Sequence, residues 1–212
     1  YAAIVNKEMG DHFSSRRFLI LFLLVAVTSL SSLYVAAMSI REAVSANGND
    51  DDVFLKLFTA ANGTLPPFVS FLSFLGPLVG LALGFDAINS EKAQGTLSRV
   101  LSQPIHRDQL INGKFLAGLL TITAMLFSLG LTVMGLGLTL IGVPPSAEEF
   151  ARILIYLAVS VVYVAFWLSL GILFSVLFRQ AATSALAGIA VWLFFSVFFS
   201  LIVGLVVNAV AP

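Results

Sequence analysis

No cysteine occurs in the 212 residues, which excludes a disulfide frame, a thiolate zinc site and a dithiol redox couple. Charge is scarce too. Charged residues make up 10% of the chain and hydrophobic residues 59%, where a soluble domain carries roughly a quarter charged residues. That balance excludes a water-soluble globule and a disordered tail alike. Lys and Arg total 11, as do Asp and Glu, so a net charge of zero provides no basic pull towards nucleic acid. A glycine-rich loop ending in Gly-Lys-Ser/Thr is also missing. Gly113-Lys114 is followed by Phe115, so no P-loop holds ATP on this chain.

What the chain does contain is apolar runs of about 18 residues or more, at 18–40, 68–85, 115–141, 153–178 and 181–207. At about 1.5 Å per residue each can cross a ~30 Å hydrocarbon layer, the longer ones tilted or projecting. Backbone groups in lipid must bond within their own segment, so these runs are helices. Alternating strands of a membrane barrel do not appear. The expected fold is an all-α polytopic membrane protein, one transmembrane domain over 1–212. Ahead of the first run, Tyr1, Ile4, Val5, Met9 and Phe13 recur at helical spacing, with Lys7, Asp11 and Ser14 opposite. That pattern predicts an amphipathic helix over 1–16, lying in the membrane interface. The run at 18–40 is too long for a signal-peptide core and no small-residue cleavage site closes it, so it is read as a retained helix.

Orientation follows from the basic residues between spans. One side collects Lys7, Arg16, Arg17, Lys92, Arg99, Arg107, Lys114 and Arg179; the other has Arg41, Lys56 and Arg152, beside Asp50, Asp51 and Asp52. The N-terminus and the 86–114 connection are therefore expected in the cytoplasm, in the cell membrane. Five spans leave the C-terminus outside, and a sixth helix is expected beyond Pro212.

From 115 onwards the ionisable residues are Glu148, Glu149, Arg152 and Arg179, all at predicted helix ends, and His12 and His106 fall in cytoplasmic segments. A proton-coupled carrier needs an acidic group or histidine inside the bilayer, and no span carries one near its middle. Met125 and Met134 fall on opposite faces of their helix and read as packing residues rather than a metal path. No metal or cofactor site is expected. The hydroxyls of Ser73, Thr121, Thr132, Tyr163 and Ser196 read as scattered, without a convergent constellation, and leave the substrate open. Asn62-Gly63-Thr64 matches a glycosylation sequon on the outer side, a three-residue pattern that carries little weight.

Two stretches are informative. Gly76, Gly80 and Gly84 stand four apart and predict a side-chain-free ridge where another helix approaches closely, with Pro77 expected to kink the span. Between 84 and 105, Gly95 breaks the chain, Thr96 can cap a new helix and Pro104 ends it. The predicted two-turn helix over 97–103 sets Leu97, Val100 and Leu101 on one face and Arg99 and Gln103 on another. So short a helix is marginal alone in water. Its apolar face must rest on lipid headgroups or on a soluble protein, and the residues leave both open.

These residues carry a resemblance. Asp86-Ala87-Ile88, Glu91, Gly95-Thr96-Leu97, Leu101-Ser102, Pro104-Ile105, Arg107 and Gly113-Lys114-Phe115 resemble the cytoplasmic segment of ABC-2 type transporter permeases. Within that family the chain is similar to the permease of the copper-processing transporter that serves nitrous oxide reductase maturation. The resemblance implies an exporter half with six helices, paired with a second permease subunit (homodimer or related chain) and driven by separate cytosolic ABC ATPase subunits. ATP and Mg would bind those subunits, not this chain, which is then no enzyme on its own. It also implies that Glu91, Gly95, Thr96, Leu97, Arg99, Val100, Leu101, Ser102 and Pro104 form a coupling segment seated in the ATPase. Two rival classes are a membrane partner of an ATPase that transports nothing, and a secondary carrier or channel.

Overall fold

The computed structural model describes residues 2–47, 53–59, 66–95, 107–142 and 144–210. Among these, helices and turns account for the structure and no strand occurs. A short helix α1 (Ala2–Ser14) precedes the first spanning helix α2 (Arg16–Asn47), joined by a tight corner in which Ser15 Oγ accepts from the Phe18 backbone N–H at 3.1 Å. Then come α3 (Val53–Thr59), spanning helix α4 (Phe68–Gly84), the five-residue α5 (Asn89–Ala93) and spanning helices α6 (Arg107–Ile141) and α7 (Ala147–Leu177). The last span is α8 (Ala181–Leu193), a π-helical turn (Phe194–Phe198) and α9 (Phe199–Val210). Five helical stretches are long and apolar enough to cross a membrane, which makes this a multi-pass membrane protein. The expected 97–103 helix lies outside the described residues, and with it Thr96, Leu97, Arg99, Val100, Leu101, Ser102 and Pro104, as does the 62–64 sequon.

Several expected boundaries move. Helix α6 starts at Arg107 rather than 115, so Gly113-Lys114 is helical and not part of a connection. Its 35 residues reach about 52 Å at ~1.5 Å each, well beyond a ~30 Å hydrocarbon layer, and the first two turns form a stalk. The uninterrupted helix expected at 181–207 is divided by the π-helical turn. Helix α3, unforeseen, folds back on the bundle end opposite α1. Its Phe58 is buried edge-on against Phe68 at 5.3 Å, and both lie near Tyr156.

The bundle is organised around α4 and α7. A β-carbon built on Gly80 falls 2.6 Å from the Val164 carbonyl oxygen and 2.8 Å from the Leu168 nitrogen; on Gly84 it falls 2.6 Å from the Leu168 carbonyl oxygen. Gly76 faces the Val164 side chain at 3.0 Å. All three ridge glycines thus meet α7, backbone against backbone at two of them. Glycines outside the ridge serve the other packings. Gly118 and Gly130 of α6 receive the Leu168 and Leu157 side chains, and Gly188 of α8 receives Leu81.

Helix α4 runs through Pro77 without ending. A proline lacks the N–H that would bond the carbonyl four residues earlier, here that of Ser73. Tyr163 of α7 supplies the missing donor, its Oη donating to the Ser73 carbonyl oxygen at 2.9 Å. Tyr163→Phe is therefore expected to destabilise the bundle by about 1 kcal/mol, and by less in a Pro77→Ala background, where the N–H returns. Thermal unfolding of the four variants in detergent measures the coupling, and equal losses in both backgrounds would remove this role from Tyr163.

Candidate functional site

At one end of the bundle the chain brings together α1, the start of α2, the turn after α4, α5 and the α6 stalk. At the centre is Lys114, with its side chain 5% exposed. Its Nζ lies 2.9 Å from Glu8 Oε1 of α1 and 2.8 Å from Glu91 Oε1 of α5. A buried ammonium is costly unless paired and hydrogen-bonded, and here carboxylates from two other elements pair it. Glu8 is there because α1 does not merely float in the interface: it lies along α6 and buries Val5.

The remaining polar groups stitch the same corner. Arg17 of α2 forms an ion pair with Asp86 and holds its guanidinium 5.4 Å from the centre of the Phe85 ring. Ser175, fully buried near the end of α7, accepts from the backbone N–H groups of Ile88 at 2.9 Å and Asn89 at 3.1 Å. Those are donors at the start of α5 that a helix cannot satisfy itself. The buried Asn89 carboxamide, oriented to satisfy its neighbours, donates to the carbonyl oxygens of Ser175 at 3.2 Å and Phe178 at 2.9 Å. His12 borders the resulting cleft of about 520 Å³. Burial pushes its imidazole below the ordinary value, and Lys114 adds to that against the opposite pull of Glu8, Asp86 and Asp11.

Of the residues expected in the coupling segment, the structure describes Glu91 and Gly95. Glu91 is turned inward to Lys114, and Gly95 has φ +67°, a left-handed conformation that costs glycine little and ends α5. The approach of Glu8, Asn89 and Ser175 to this corner was not read from the sequence. A lysine at the foot of an apolar run was the available signal, since its charge has to find partners.

A second site revises an expectation. Ser73, Tyr163 and Ser196, read as scattered, line one cleft of about 600 Å³ together with Ser70 and the rings of Phe74 and Phe166. Among the described residues, no ionisable acid or base other than the tyrosine borders it. Three helices far apart in the chain contribute, so no local pattern could announce it. Thr121 and Thr132 stay outside, each bonded to its own helix at Ala117 and Ser128.

Comparison with known proteins agrees with this architecture. Residues 2–212 match the model of the ABC-2 family transporter protein. A probable ABC transporter permease protein NosY of Stutzerimonas stutzeri is 32% identical over 141 residues, covering 66% of this chain and 46% of the relative. Its namesake in Pseudomonas aeruginosa is 28% identical over 198 residues, covering 91% of this chain and 65% of the relative. The chain thus spans about half to two thirds of the length of these relatives. With five apolar spans and the family match running from end to end, the chain belongs to the ABC-2 transporter family.

Proposed function

We propose that this chain is the membrane permease subunit of an ATP-driven exporter in the cell membrane, with its N-terminus in the cytoplasm. Separate cytosolic ABC ATPase subunits supply the energy, and a second permease subunit completes the pathway. The observation that carries the reading is the buried Lys114, which joins the helix leading into segment 96–106 to α1 and α6. A push on that segment would pass through Glu91 and Lys114 to the α6 stalk, and through Asn89 and Ser175 to α7. Two spans would then move together rather than one loop bending. Such rigid-body transfer suits a pathway that alternates between two openings.

In this reading Leu97, Val100 and Leu101 are the apolar anchors on the ATPase, with Arg99 as a polar contact. Gly95, Thr96, Ser102 and Pro104 set the shape of the segment. Glu91 holds the segment in place from inside. The uncharged, hydroxyl-bearing cleft at Ser73, Tyr163 and Ser196 suits a weakly polar cargo better than a bare ion.

Replacing Leu97 and Leu101 together by Asp is the test. The expected outcome is loss of ATPase co-purification, by tenfold or more, while the permease stays inserted in the membrane. Undiminished co-purification would remove the segment from the interface. Nucleotide-independent transport in vesicles would favour a secondary carrier.

A further inference from the structure

The groove between α2, α4 and α8 is roofed by no other described element, and it is apolar. A cavity of about 210 Å³ opens there, lined by Leu21, Leu78, Leu81, Phe85, Ala185 and Ile189. Ala82 belongs to the wall of this cavity and also to the wall of the charged cleft beside α1. The two spaces are therefore neighbours, one apolar and one ionic, at the end of the bundle where the basic residues gather. Phe85 stands between them with the Arg17 guanidinium on its face.

Charge around the cleft is mostly spent internally. Lys114 pairs with Glu8 and Glu91, Arg17 with Asp86, and Lys7 with Asp11 at 3.9 Å. Arg16, exposed on the rim, has no carboxylate partner among the described residues. Arg17 keeps an exposed side chain, and a guanidinium has donors beyond those one carboxylate uses.

We infer that this groove binds a phospholipid, with one acyl chain in the cavity lined by Leu81, Ala185 and Ile189 and the phosphate on Arg16 and Arg17. Each part of that ligand answers a separate feature. The hydrocarbon fills the apolar cavity and the phosphodiester meets the unpaired guanidinium. Basic residues at a membrane surface attract such headgroups; the adjoining cavity adds a place for the chain. The inference holds whether or not the protein exports anything.

Two tryptophans, Trp167 and Trp192, are all the chain has, and both belong to one buried cluster with Leu81. They report on the cavity. The full chain in neutral detergent is titrated with phosphatidylglycerol brominated on its acyl chains, and tryptophan emission is read. Quenching is expected to saturate. Arg16→Gln with Arg17→Gln is expected to raise the midpoint at least fivefold. Ala185→Phe, which fills the cavity, is expected to abolish the saturating part with helix content unchanged.

Brominated diacylglycerol with the same chains should quench only at least fivefold higher concentration. Equal midpoints for the phospholipid and the diacylglycerol would overturn the phosphate's role. So would equal midpoints for the wild type and the arginine variant, in which the apolar core is intact. Glycerol phosphate displacing the brominated lipid as well as unbrominated phosphatidylglycerol does would reduce the site to an anion site, and overturn the proposal.

Discussion

Gly80→Leu is expected to prevent the helix bundle from assembling. A β-carbon there already falls 2.6 Å from the Val164 carbonyl oxygen and 2.9 Å from the Trp167 β-carbon. Backbone cannot turn away as a flexible side chain can, so α4 and α7 must separate. Even the single methyl of Gly80→Ala brings overpacking of about 1–3 kcal/mol, and the larger side chain pushes apart the close contact that holds membrane helices together. Gly84→Leu meets the Leu168 carbonyl oxygen at the same 2.6 Å and is expected to fail alike. Gly135→Leu is the control, because nothing lies within 4 Å of its β-carbon position. Monodisperse elution in detergent separates the cases. If Gly80→Leu elutes and melts like Gly135→Leu, the packing of α4 on α7 is not as described.

Lys114→Met is the second large effect. Removing the ammonium takes away the cation that Glu8 and Glu91, both largely buried, share. Breaking a buried ion pair from one side costs about 3–5 kcal/mol, because the partner's charge stays behind. The expected result is a lower melting temperature and faster trypsin cleavage at Lys7 and Lys92, on the two elements the lysine ties down. Glu8→Gln in the Lys114→Met background is expected to recover part of the loss by removing one of the two carboxylates that shared the ammonium. That recovery distinguishes an electrostatic tie from a simple gap in packing. A Lys114→Met protein as stable as the wild type would refute the tie. Under the proposed function, the partner ATPase of a complex carrying this variant is expected to keep hydrolysing ATP while cargo movement is lost, since the 86–95 element would no longer be anchored to α6.

The two effects concern different stages of one task. The glycine ridge makes α4 and α7 a single packed unit, and the Lys114 cluster connects that unit to the segment entering at residue 96. Ser175 belongs to both, since it lies on α7 and binds the backbone of the turn that follows α4. A force applied beyond Gly95 therefore has two rigid routes into the spanning helices.

Composition and run length by themselves determined that this chain is a helical membrane protein, because a bilayer permits few backbones and the five apolar runs match its thickness. Spacing alone also picked out Gly76, Gly80 and Gly84, since a period of four places them on one helical face whatever they touch. Which helix they touch was decided in three dimensions, as was the donor that replaces the one Pro77 lacks. The same holds for the fate of Lys114: a charge at a helix foot announces that it needs partners, but Glu8 lies 106 positions earlier and reaches it only because α1 lies along α6. Helix α3 escaped notice because it is a seven-residue segment held, among the described side chains, by the buried ring of Phe58 against residues distant in sequence. The hydroxyls of Ser73, Tyr163 and Ser196 were visible one by one. Their convergence came from packing, because periodicity records the face a residue occupies on its own helix and carries no information about which face of another helix it meets.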